Sequence, residues 1–118
     1  MTAAGETVVD EQTQGNAQTV GSAARIGAIR GEIDRIDAAV IELLSRRFKA
    51  TDEVGQLKAL AGFAPADPER ERAQVEHLRQ LAQSEGLDPA IAQGYHTFVA
   101  GLAKERHARI AQEQQKAR

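Results

Sequence analysis

Two cations stand where a helix of this chain would otherwise be apolar. Arg47 follows Leu43 by four residues, in a slot where the spacing calls for a hydrophobe, and Lys58 follows Arg47 by eleven. Eleven residues is close to three full helical turns, so both side chains point the same way, roughly 16 Å apart along one face. Cations on a largely apolar face require anions, either protein carboxylates or those of a ligand. Arg30, 17 residues before Arg47, is about a quarter turn out of phase. It is poorly placed to serve the same pocket from the same helix. It can serve the equivalent pocket of a second chain if two such helices pack antiparallel.

Other polar residues are less telling alone. Arg70 and Glu71 fall in the first turn of a second helix, where Glu71 is favoured by the helix field; by themselves they read as solvent-facing. His107 shares a face with Ala100 and Ala103, and by itself reads as a hydrogen-bonded core or surface histidine. His77 and His96 lack the spacing of a metal site, and there is no HExxH motif or glycine-rich phosphate loop. With no cysteine there is no thiolate nucleophile or ligand. Neither a metal nor a cofactor is expected.

Three helices must position these groups. Ile26, Ile29, Ile33, Ile36, Val40 and Leu43 recur three and four apart from Arg25 onward, with Val54 and Leu57 in compatible phase. The run exceeds thirty residues. Nothing else in a 118-residue chain could cover so long a stripe, so it is expected to lie against another long helix. Gly27, Gly31 and Gly55 each weaken it by roughly 1 kcal/mol relative to Ala. Asp67-Pro68 marks a second helix, with Asp67 as N-cap, running to about Ser84; Gly86 ends it, and Asp88-Pro89 opens a third from near Ala90 to Glu113, after which the chain is expected to fray. No alternating run suggests a strand.

Before Arg25 the character differs. Residues 1–24 hold no Lys or Arg and only three acids, and are expected to form a disordered polar tail, with the folded domain at 25–115. The whole chain balances 15 basic against 17 acidic residues, for a net charge of −2; without the tail it is 15 against 14. That balance argues against a nucleic-acid coat and leaves room for a local anion site. Aromatics are 3% of residues, so the core must come from aliphatic side chains, and a domain this small benefits from oligomerisation. No stretch approaches a membrane span and no secretory signal is seen, so a soluble cytoplasmic protein is expected.

The segments Ile29-Arg30-Gly31-Glu32-Ile33-Asp34-Arg35-Ile36-Asp37, Leu43-Leu44-Ser45-Arg46-Arg47, Lys58, Asp67-Pro68-Glu69-Arg70-Glu71 and Gly86-Leu87-Asp88-Pro89, in this order, resemble the all-helical AroQ class of chorismate mutase over about residues 25 to 113. The resemblance implies an all-α fold: three-helix subunits with a long N-terminal helix, intertwined as a homodimer with two shared active sites. Arg47 resembles the arginine that grips a carboxylate of chorismate, and Arg30 the one donated by the other chain. Lys58 matches the lysine that hydrogen-bonds the ether oxygen and a carboxylate. Asp67 and Glu71 match the polar residues near the ring hydroxyl, and Arg70 the arginine beside them. His107 stands where the best-known members carry a glutamine that donates to the ether oxygen, and Ala103 replaces a small hydroxyl residue.

By that resemblance the activity is conversion of chorismate to prephenate in phenylalanine and tyrosine biosynthesis, with Arg30 and Arg47 clamping the dianion and Lys58 and His107 facing the ether oxygen. As the proton donor on His107 is lost with rising pH, activity is expected to fall. An isochorismate pyruvate lyase is the alternative enzyme; it shares Arg30, Arg47 and Pro68-Glu69-Arg70 but tends to lack the acidic pair. A third reading is a catalytically weak helical dimer acting through a partner enzyme of the shikimate pathway.

Overall fold

The computed structural model describes the backbone of residues 3–117 and the side chains of residues 16–117. Three helices follow one another: α1 (Ala3–Ala61), α2 (Pro68–Glu85) and α3 (Pro89–Ala117). No helix among the described residues is long and apolar enough to cross a membrane.

α1 begins at Ala3, whereas the apolar spacing places its start at Arg25. The polar stretch has no proline, the first in the chain being Pro65, and is rich in Ala and Gln. A hydrogen-bonded ladder can therefore propagate through it without an apolar stripe. Residues 1 and 2 of the expected disordered tail lie outside the described residues, as do the side chains of 3–15; from Asn16 to Arg30 every side chain is exposed.

The chain divides into two compact units, Met1–Leu43 and Leu44–Arg118. In the first, the predicted stripe is present and uncovered: Ile26, Ile29, Ile33, Ile36, Val40 and Leu43 are all exposed. The second contains the C-terminal part of α1 with α2 and α3.

Within this second unit the helix ends follow the sequence signals. Gly62 (φ 76°) and Gly86 (φ 70°) take the left-handed conformation that closes α1 and α2. Phe63 N–H donates to the Lys58 carbonyl at 2.8 Å, and Leu87 N–H to that of Ala82 at 2.8 Å, so both ends form Schellman caps. Asp67 caps α2, its Oδ1 accepting from Arg70 N–H at 3.1 Å. Asp88 does the same for α3, accepting from Ala90 N–H at 2.9 Å. α3 continues to Ala117, past the predicted end at Glu113; Gln and Lys are adequate helix formers and no glycine or proline intervenes.

α2 packs on α3. The buried residues there are small: Ala82, Ala92 and Val99, with His96 among them. α1 meets α3 at Gly55, where a Cβ would lie 2.8 Å from His107 Cδ2 and 3.1 Å from Ile110 Cδ1. The glycine that weakens α1 is thus the one that lets α3 approach.

Candidate active site

Helical spacing builds the site from three faces of the second unit. On α1, Arg47, Thr51, Val54 and Lys58 are four, three and four residues apart, one stripe along the helix. At α2, the N-cap Asp67 with Arg70 and Gln74 repeats the pattern, and on α3 so do Ala100, Ala103 and His107. These stripes, with Ala50, line one open cavity of about 460 Å³. A smaller recess of about 90 Å³ shares seven of these residues, from Lys58 to His107, and adds Pro65, Glu71 and Lys104.

The structure thus brings together Arg47, Lys58, Asp67, Arg70 and His107 around one cavity, with Glu71 on the adjoining recess. Arg30 is different: it lies in the first unit, exposed, and is not among the lining residues.

Arg47 is half-buried, its guanidinium carbon 6.0 Å from the Phe48 ring centroid and 5.9 Å from that of Tyr95. The rings hold the cation by their π faces without consuming its N–H groups. Nη1 of Arg47 is buried with no hydrogen-bond partner among the described residues. Such a group costs free energy unless an acceptor arrives, which is the electrostatic form of an anion site waiting for its ligand. Lys58 Nζ, three turns along, donates to the Pro65 carbonyl at 3.1 Å.

The acids are already engaged. Asp67 is the α2 cap, and Glu71 accepts an ion pair from Lys104 at 2.8 Å. Arg47, Lys58 and Arg70 therefore face the cavity with Asp67 as the one carboxylate among its lining residues.

His107 departs from the expected arrangement. Nε2 lies 2.8 Å from the Thr51 carbonyl and Nδ1 3.4 Å from that of Pro65. Both nitrogens face backbone acceptors, so the ring is spent on the fold: Nε2–H donates to α1, and Nδ1 faces the α1–α2 loop. These are the bonds of a hydrogen-bonded structural histidine, one of the readings the sequence left open.

One pairing had no sequence signal. Arg106 on α3 binds Asp52 on α1 through two parallel contacts, Nε to Oδ1 at 2.6 Å and Nη2 to Oδ2. The Arg106 hydrogen bond holds the Asp52 carboxyl below its ordinary range. The same guanidinium lies 5.8 Å from the Phe48 centroid, so Phe48 sits beside both Arg47 and Arg106. Gln74 was also missed, although its position four residues after Arg70 is a helical signal that could have found it.

Three helices that line an open cavity with cations among small apolar walls make this an all-helical protein with a candidate anion site. A family model described as chorismate mutase type II matches residues 29–114. The chain is 35% identical over 66 residues to the T-protein of Enterobacter agglomerans, a match covering 56% of this chain and 18% of that protein. It is 30% identical over 67 residues to the chorismate mutase of Methanocaldococcus jannaschii, covering 57% of this chain and 68% of the relative. Over 53 residues it is 40% identical to the bifunctional chorismate mutase/prephenate dehydratase of Aquifex aeolicus, covering 45% of this chain and 15% of that protein. The chain belongs to the chorismate mutase type II family, the all-helical AroQ class. The matches span less than a fifth of the two larger relatives.

Proposed function

We propose that this protein converts chorismate to prephenate. The observation that carries the reading is the buried, unpartnered Nη1 of Arg47 in a cavity that Lys58 and Arg70 also line. In the family's reaction a carbon–oxygen bond breaks while a carbon–carbon bond forms, with no covalent intermediate and no proton transfer. The protein has to hold a dianion in a compact diaxial shape and meet the charge growing on the ether oxygen. Arg47 grips one carboxylate. Lys58, released from the Pro65 carbonyl, reaches the ether oxygen and a carboxylate. Asp67 and Glu71 take the ring hydroxyl, and Arg70 holds the site beside them.

The working form is a homodimer. The exposed stripe from Ile26 to Leu43 is the surface a second copy covers, and Arg30 of that copy supplies the second carboxylate clamp. Burying such a stripe also supplies the apolar contact that the small core of each subunit lacks.

The test is to incubate the purified chain separately with chorismate and with isochorismate and to identify the products, with Arg47→Ala as control. Prephenate formation that disappears in the variant supports the reading. Salicylate and pyruvate from isochorismate would replace it with the lyase. If neither compound turns over, stand-alone catalysis is wrong, and a role through a partner enzyme takes its place.

A further inference from the structure

The residue at the position where the resemblance implies a donor already faces two backbone carbonyls. His107 directs Nε2 at the Thr51 carbonyl and Nδ1 at the Pro65 carbonyl. Across the cavity, α2 carries an amide that nothing uses. Gln74 is half-buried, lines both the main cavity and the recess, and has no hydrogen bond to any described residue. It stands one turn beyond Arg70 on the same helix face, opposite Ala100 and Ala103 on α3. Those small side chains leave room for the amide to reach inward.

We propose that Gln74 is a catalytic residue, donating its side-chain N–H to the bound substrate, while His107 ties α3 to α1 through the Thr51 carbonyl. The proposal rests on the mutase reading above. An amide is a neutral donor at every working pH, whereas the histidine would lose a donor on deprotonation. Lys58 and Gln74 then approach the ligand from α1 and α2, and α3 contributes the wall. The Pro65 carbonyl is shared: Lys58 Nζ donates to it at 3.1 Å, and His107 Nδ1 faces it at 3.4 Å.

The test is steady-state kinetics with chorismate for the wild type, Gln74→Leu and Gln74→Glu across pH 4 to 8. Leucine keeps the volume and removes the donor. Because the interaction strengthens as charge develops, kcat for Gln74→Leu should fall about 10- to 100-fold while KM changes little. Glutamate donates only when protonated, so the ratio of its kcat to that of the wild type should rise toward low pH. Arg47, Lys58, Arg70, Asp67 and His107 line the same cavity. The three permanent cations favour the ionised carboxylate, which places the recovery near or below about pH 4. A folding defect would not produce that recovery.

A kcat for Gln74→Leu within twofold of the wild type, or a Gln74→Glu ratio that stays flat when the series is carried down to pH 3 with the fold intact by circular dichroism, overturns the proposal while leaving the mutase reading standing. Wild-type chain that forms no prephenate overturns both.

Discussion

A Cβ on Gly55 would stand 2.8 Å from Cδ2 of His107, so the glycine of α1 and the ring of α3 are a matched pair. Gly55→Ala must push the ring off the Thr51 carbonyl. Overpacking of this kind costs about 1–3 kcal/mol, against a gain of roughly 1 kcal/mol in helix propensity. The single variant should therefore be destabilised by up to about 2 kcal/mol. In a His107→Ala background the same change should instead stabilise. Denaturant unfolding of the four chains reads the reversal, and equal effects in both backgrounds would show that the ring is not the obstacle.

Arg47 should separate stability from activity. Its Nη1 has no hydrogen-bond partner among the described residues. Arg47→Met removes an unsatisfied buried donor, so Tm should hold or rise. Turnover of chorismate should fall at least about 100-fold, since a charged contact to the reacting dianion is lost. A Tm that drops sharply would mean that the guanidinium supports the fold.

The two roles of Asp67 can also be divided. Its Oδ1 accepts from Arg70 N–H, and it lines the cavity. Asp67→Ala should cost about 1 kcal/mol through loss of the cap. Asp67→Asn keeps the cap, so thermal unfolding should be nearly unchanged while kcat/KM falls. Equal stability losses in both variants would contradict the capping account.

The Asp52–Arg106 pair predicts an acid-side dependence. The carboxyl is held below its ordinary value by the Arg106 hydrogen bond, so its folded-state pKa lies below the unfolded one. Its contribution to stability is complete above about pH 4 and disappears as pH falls through the folded-state value. Asp52→Asn should unfold at lower temperature than the wild type at pH 7, with the gap closing below about pH 4. Both partners are partly exposed, so added salt should shrink the gap as well.

The exposed stripe of α1 gives a prediction about assembly. Sedimentation should report a dimer, and Ile33→Glu with Ile36→Glu should give monomers that form no prephenate. Each introduced charge would sit in the surface that a second copy has to cover. A wild-type monomer with full activity would remove Arg30 from the site.

What the sequence determined alone is local in origin. Spacing of three and four identified the helical faces, and Arg47 and Lys58 fell on one of them because helical geometry depends only on separation along the chain. Asp67, Gly86 and Asp88 marked helix ends for an equally local reason: each satisfies backbone groups within a few residues of itself. The start of α1 escaped because a polar helix leaves no periodic trace. Only the tertiary structure decided the rest. Gly55 and His107 lie 52 positions apart, and no local rule says that α3 would approach α1 there and require a residue without a Cβ. Nor could spacing say that Thr51 and Pro65 carbonyls would take the His107 nitrogens, or that Arg106 would find Asp52. Backbone carbonyls carry no sequence signature. Which side chain a carbonyl meets depends on how helices pack, and that packing leaves Gln74 beside the cations without a hydrogen bond among the described residues.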